Sequence, residues 1–328
     1  MIPAKLTRGD ELRVVSPATS LSIIGINERK IAVERFEALG LRVTFSKHAE
    51  ECDMFNSSSV ESRVSDIHEA FADTNVKAIM TTLGGFNSNQ LLSHLDWDLI
   101  RNNPKILCGY SDITALNNAI LTKTGLVTYS GPHFSTFGMK HGFDYTYDHF
   151  KKCLFNDDII MIGTSDEWSC DSWYMDQENR YFHKHDGYLI INVGEAEGTI
   201  IGGHLGTLAL LQGTEFMPDL SNAILFLEED DTSGQSTVLM FERCLQSLIQ
   251  QPGFSGVKGI VIGRFQKNTN TTTEQIVQII KTKPELRRIP VVANANFGHT
   301  SPIITFPIGG KARMKVTSNE VELVIESH

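Results

Sequence analysis

Lys105-Ile-Leu-Cys-Gly-Tyr-Ser-Asp-Ile-Thr-Ala-Leu116 reads as a strand, a sharp turn and the start of a helix. The apolar run Ile106 to Cys108 fits a buried strand, and the helical pattern runs on through Leu116 and Ile120. Ser111 sits at the tip of the turn. That layout can lift a nucleophilic hydroxyl clear of a sheet, with a helix N-terminus behind it to stabilise developing negative charge. The match to a Gly-x-Ser-x-Gly elbow is incomplete, because Ile113 occupies the place of the second glycine. On spacing alone Ser111 is either a nucleophile or a helix cap.

Outward from this segment the first half alternates. Glu11–Ser16, Leu41–Phe45 and Val76–Thr82 read as strands, Glu28–Leu39 and Val60–Ala72 as helices, and Asn89–Leu95 as the start of another helix. This rhythm predicts a parallel sheet with helices on both faces, which binds ligands at the carboxyl ends of its strands. Gly84-Gly85 and Ser111 both fall at such ends. After Ile190 the elements are Gly198–Leu211 (glycine-rich, then helical), the strand Ala223–Glu229, the helix Ser236–Ile249 and the strands Val257–Gly263 and Ile289–Asn294. The tail, Ile303–Phe306 and Lys315–Ile325, reads as short antiparallel strands. The expectation is an α/β chain: an N-terminal parallel-sheet domain over 1–165, an aromatic linker or loop over 166–188, and a smaller mixed domain over 189–328. The linker carries Trp168, Trp173, Tyr174, Tyr181 and Phe182 among polar residues, richer in aromatics than a plain linker, which suits a lid.

The chain of 328 residues has a formal net charge of −10, which argues against a nucleic-acid backbone as its main partner. No apolar run approaches the roughly 18 residues of a membrane span, and no signal-peptide core is present, so the expectation is a cytoplasmic protein. The five cysteines are scattered without Cys-x-x-Cys spacing, which excludes a zinc-ribbon pattern and argues against a disulfide framework.

Three further groups could carry chemistry. Gly84-Gly85 lacks Gly-x-Gly-x-x-Gly spacing, which argues against a dinucleotide-dependent oxidoreductase. It is a tight turn or an exposed amide aimed at an oxyanion. Glu228, Glu229, Asp230 and Asp231 end a strand. Alternation sends Glu228 and Glu229 to opposite faces, so one of them can enter a site. The run also raises a magnesium reading, which no nearby phosphate loop supports. His299 lies in a loop after a strand, with His133 as a competing base. A serine needs a base for its proton, and the imidazole needs a carboxylate to fix its tautomer.

Gly84-Gly85, Gly109-Tyr110-Ser111-Asp112-Ile113-Thr114-Ala115-Leu116, Gly202-Gly203, Phe226-Leu227-Glu228 and Asn296-Phe297-Gly298-His299-Thr300, in this order, resemble the LD-carboxypeptidase family of serine peptidases over nearly the whole chain. The resemblance implies a Rossmann-like N-terminal domain, a smaller β-rich C-terminal domain and a homodimer, with no cofactor and no metal. It implies Ser111 as nucleophile, His299 as general base, Glu228 as orienting carboxylate, and the amides of Gly85 and Asp112 as oxyanion donors. The family includes murein tetrapeptide carboxypeptidases, which release a terminal D-alanine, and a microcin C self-immunity branch, which cuts peptidyl- or aminoacyl-nucleotides. Gly84-Gly-Phe-Asn-Ser-Asn-Gln-Leu-Leu92 and the aromatic segment look more like the second, with Trp168 or Trp173 placed to stack on a purine. That branch carries a lysine about four residues beyond its glutamate. Here the position is Thr232, which argues against recognition of an acidic aminoacyl group. A non-catalytic ligand-binding protein on the same fold is the remaining reading, and the intact Ser, Glu and His set argues against it.

Overall fold

The computed structural model describes residues 1–328. Five short strands of the first half, β1 (Glu11–Val15), β2 (Arg42–Phe45), β3 (Val76–Thr81), β4 (Ile106–Cys108) and β5 (Thr128–Ser130), pair in parallel. Their central members are buried on both faces, which is why Ala78–Met80 and Ile106–Cys108 read as unbroken apolar runs rather than alternating ones. The next strands are β6 (Ile160–Met161), the small hairpin β7 (Glu167–Trp168) and β8 (His183–Lys184), then β9 (Leu189–Asn192), β10 (Gly194–His204), β11 (Ala223–Glu228), β12 (Gly259–Gly263) and β13 (Val291–Ala295). The chain finishes with β14 (Phe306–Ile308), β15 (Lys311–Val316) and β16 (Val321–Ser327). A second sheet of eight strands runs β6-β16-β15-β10-β11-β12-β13-β9, parallel from β10 to β13 and antiparallel elsewhere.

The fold class is as the sequence implies, an α/β chain with two sheets. Two strand pairings cross the boundary expected at 165. β14 leaves the C-terminal half and pairs antiparallel with β5, as the edge of the first sheet, while β6 pairs with β16 in the second. Pairing across a long interval leaves no local signal, so these crossings are invisible to a reading by periodicity. The helix read from Asn89 is a single 3-10 turn, Ser88–Leu91. A regular helix starts only at Trp97, where the Asp96 side chain accepts the Leu99 amide as N-cap.

The two sheets share their cores. Leu116 and Ala119 of the helix Thr114–Thr124 pack in one cluster with Ile201, Leu205 and Leu227. Asn118 Nδ2 of that helix donates to the Gly202 carbonyl at 2.8 Å. On the other side Phe226, Phe297 and Phe306 pack together, tilted for Phe226–Phe306 with ring centroids 4.8 Å apart and edge-on for Phe297–Phe306 at 5.2 Å. Phe226 lies two residues before Glu228 and Phe297 two before His299. Each aromatic pair adds about 0.5–1.5 kcal/mol beyond burial, so the packing that holds the sheets together also fixes these two side chains.

Candidate active site

Ser111 adopts φ +60°, a left-handed conformation that costs a residue with a Cβ about 1–3 kcal/mol. The cost is met by its surroundings: β4 enters from one side and the helix Thr114–Thr124 leaves on the other, joined through the 3-10 turn Ser111–Ile113. Gly84 packs against the turn, and a Cβ there would stand 2.9 Å from both the Cβ and the Oγ of Ser111. Ser111 is thus the strained tip of a strand–turn–helix.

β11 ends at Glu228, and the loop after β13 carries His299 to the same place. His299 Nδ1 lies 2.8 Å from Glu228 Oε2, and His299 Nε2 lies 2.9 Å from Ser111 Oγ. A carboxylate only accepts, so Nδ1 carries the proton and Nε2 offers its lone pair to the serine hydroxyl. Glu228 is buried, with its other oxygen unpartnered. Gly298, at φ +98°, lets the loop pass close by: a Cβ there would stand 2.6 Å from Glu228 Oε2. Burial pulls the His299 pKa down, but the Glu228 charge, its hydrogen bond, and the charges of Asp230 and Asp231 outweigh it, and the value ends above 6.5.

The competing base is accounted for. His133 is buried, its Nδ1 lies 2.7 Å from Thr81 Oγ1, and burial with the nearby His299 charge pushes its pKa down to about 3. The Tyr110 ring separates the two imidazoles, 4.4 Å from His133 and 5.3 Å from His299 between centroids. Glu229 points away from Glu228 and lies 3.2 Å from His204 Nε2. His204 Nδ1 accepts the Thr207 amide, so Nε2 carries the proton. Burial, reinforced by Glu228 and Asp230, pushes Glu229 up to about 8, so this carboxyl is largely uncharged at neutral pH.

The Gly85 amide makes no hydrogen bond within the protein. Its φ of +155° and the 2.8 Å that would separate a Cβ from Thr19 Oγ1 require glycine there. The Gly84 carbonyl accepts the Thr19 amide, which holds the turn open. The two tryptophans part company. Trp173 lines a cavity of about 280 Å³ together with Tyr110, His299, Asp231 and Ser301. Trp168 is buried away from it, under the Arg264 guanidinium at 4.5 Å and beside the His183 ring at 4.9 Å, so its part is structural. Five residues apart in a stretch without periodicity, they could not be told apart by pattern. Ser169 and Ser301 exchange two backbone hydrogen bonds of 2.7 Å, which ties the aromatic segment to the loop of His299. The Thr232 amide donates to Asp230 Oδ1 at 2.8 Å, and no Lys or Arg lines the cavity. Tyr110 is a cavity residue to which sequence reasoning gave no role, although it lies inside the decisive turn, and Asp231, the last of the acidic run, lines the cavity as well. No group of three or more His, Cys, Asp or Glu side chains is arranged to hold a metal ion, and no helix is long and apolar enough to cross a membrane.

Residues 12–131 match the LD-carboxypeptidase N-terminal domain and residues 197–314 the LD-carboxypeptidase C-terminal domain. The chain belongs to the LD-carboxypeptidase family. It is therefore a serine peptidase of carboxypeptidase type. It is 57% identical to "Putative carboxypeptidase YocD" of Bacillus subtilis (strain 168) over the full length of both chains. Among solved structures it superposes on an MccF-like protein of Bacillus anthracis str. Ames with a TM-score of 0.99 and 59% identity, covering 100% of each chain. It superposes on MccF in complex with glutamyl sulfamoyl guanosine with a TM-score of 0.88 and 29% identity, covering 99% and 98%. Identity alone does not choose between the family's branches. The "Microcin C7 self-immunity protein MccF" of Escherichia coli is 29% identical, over 98% of this chain and 95% of that one. The "Probable murein peptide carboxypeptidase" of Bacillus subtilis (strain 168) is 30% identical, over 99% and 94%.

Proposed function

We propose that the protein hydrolyses an amide bond in peptidyl- or aminoacyl-nucleotides, using Ser111, His299 and Glu228 as a catalytic triad. The observation that carries this reading is the unbroken line of two hydrogen bonds, 2.9 Å and 2.8 Å, from Ser111 through His299 to the buried Glu228. His299 Nε2 accepts the hydroxyl proton as Ser111 Oγ attacks the carbonyl carbon. Negative charge develops on the carbonyl oxygen, where the Gly85 and Asp112 amides donate. Glu228 stabilises the imidazolium that has formed. Collapse breaks the C–N bond, and His299 returns its proton to the leaving nitrogen. An acyl ester on Ser111 remains. Water, deprotonated by His299, hydrolyses it and frees the acid.

The preference for a nucleotide leaving group rests on Trp173, whose indole at the cavity wall offers a stacking face, and on the 29% identity to a protein solved with glutamyl sulfamoyl guanosine. The homodimer common in the family belongs to the same proposal, with sedimentation velocity to read two 36.5 kDa chains or one. The deciding assay offers wild type and Ser111→Ala an aminoacyl sulfamoyl adenosine and an L,D-murein tetrapeptide, with mass-spectrometric detection. Ser111-dependent release of the sulfamoyl nucleoside is the expected result. Ser111-dependent loss of D-alanine alone would move the activity to cell-wall peptides, and turnover unchanged in Ser111→Ala would refute the triad.

A further inference from the structure

The oxyanion donors assigned above come from two separate turns: Gly85 lies in an irregular one, and Asp112 in the 3-10 turn Ser111–Ile113. Gly85 follows β3 and Asp112 follows β4. A donor pair is effective only when its spacing is set before the charge develops, and a glycine pair brings no side chains with which to set it. Something else must fix the distance between the turns.

The Asp112 side chain spans that gap. It is buried, at 3% exposure, although it directly follows the nucleophile. Its Oδ2 accepts the amides of Asn87 at 3.0 Å and Ser88 at 2.8 Å. Ser88 Oγ returns a bond to the Asp112 carbonyl at 2.7 Å. Three hydrogen bonds thus join the segment that carries the Gly85 amide to the residue that carries the other donor.

A carboxylate here carries a liability. A negative charge one residue from the nucleophile opposes the oxyanion it helps to place. Arg63, on the helix Val60–Ala72, lies on the other side of the same segment and is 3% exposed. It donates to the carbonyls of Asn87 and Pro17, both at 3.1 Å, and to Gln90 Oε1 at 2.8 Å. No carboxylate lies within ion-pair distance of it. Burial works against its charge, and Asp112 is the main group that offsets it. The segment 87–90, directly after the glycine turn, therefore lies between a buried cation and a buried anion, each bonded to it and neither touching the other.

We infer that Asp112 and Arg63 form a split ion pair that positions the oxyanion donors, with Arg63 cancelling the charge that Asp112 would otherwise impose on the reacting oxygen. This rests on the triad reading above. Both are positioning residues when judged by their side chains, and neither exchanges a proton with substrate.

The test compares wild type, Asp112→Asn, Asp112→Ala, Arg63→Met and the Asp112→Asn/Arg63→Met double variant. Each is measured for kcat, KM, thermal midpoint and rate of Ser111 phosphonylation by a fluorophosphonate, with turnover expressed per titrated site. Asp112→Ala removes the acceptor, and its kcat falls about 10²- to 10³-fold, the loss typical of one oxyanion donor, while KM stays within about threefold. Asp112→Asn keeps an acceptor of the same size and guards against misfolding of the alanine variant; its kcat falls about tenfold. Arg63→Met costs less in the Asp112→Asn background than in wild type, because the charge it cancels has gone. A purely structural role would lower the thermal midpoint but leave kcat per titrated site and phosphonylation unchanged. That result, or strictly additive losses, overturns the inference while leaving the triad standing. Hydrolysis that survives Ser111→Ala overturns both.

Discussion

Replacing Glu228 by glutamine changes one charge and almost no volume. In the native site the carboxylate lies 2.8 Å from His299 Nδ1, with exposures of 3% and 19% for the two side chains. At that distance, or at the roughly 4 Å between charge centres, an effective dielectric near 20 gives an attraction of about 4–6 kcal/mol for the imidazolium. This stabilisation exists only once His299 has taken the serine proton, so its loss falls on kcat and not on ground-state binding. A glutamine oxygen facing Nδ1 recovers part of a hydrogen bond, whereas its amide group facing Nδ1 enforces the wrong tautomer. The close approach of Gly298 leaves little room for a third arrangement. Turnover of Glu228→Gln should fall about 10³- to 10⁴-fold with KM nearly unchanged. The pH profile gives a second readout. His299 must be neutral to act as base, and its raised pKa puts the acid limb of kcat/KM above pH 6.5 in wild type. Without the carboxylate, burial dominates and the limb moves below that value. Rates of nucleoside release between pH 5 and 9, followed by mass spectrometry, measure both. A variant within tenfold of wild type, with its acid limb unmoved, would refute the reasoning.

Glu229→Gln should keep activity within about threefold at pH 7, because this carboxyl is already uncharged there. Its folded pKa of about 8 lies above the ordinary 4.5, so the unfolded chain releases this proton first. Wild type loses stability from this group as pH rises from 4.5 to 8, and denaturant titrations should show a smaller loss in Glu229→Gln. Gly84→Ala puts a Cβ 2.9 Å from Ser111 Oγ and should cost about 10²-fold in kcat, read by active-site titration with circular dichroism to confirm folding. Trp173→Ala should raise KM for a nucleotide substrate by about 5- to 150-fold, the value of one stacked base. Trp168→Ala, at 6% exposure, should instead lose about 3–5 kcal/mol of folding stability with KM unchanged.

Much of this could be read in the chain, for reasons that differ by element. The parallel strands were legible because strands buried on both faces leave continuous apolar runs, as in Ile106–Cys108. Ser111, Glu228 and His299 stood out because each follows such a run, and a strand end is where a parallel sheet presents side chains. Their distances were not legible, because 2.9 Å between Ser111 and His299 depends on the packing of Phe226, Phe297 and Phe306 across two sheets. Trp168 and Trp173 were interchangeable by sequence, since only the position of Arg264 over one ring decides which faces the cavity. Arg63 gave no signal at all: one arginine on a charged helix is ordinary until its carbonyl partners are known.

The exchange of strands between the sheets bears on when this enzyme can exist. β5 is complete at Ser130, but its outer neighbour is Phe306–Ile308. At about 5–20 residues per second, the ribosome needs on the order of ten to thirty seconds to bridge that interval. Until then the nascent first sheet has an open edge, able to pair with another chain, and a serine without its histidine. The strand that closes the edge emerges directly after His299, so the same short stretch of synthesis seals the sheet and arms the hydrolase. A chain that ends before this point keeps the first sheet's edge unpaired and lacks His299.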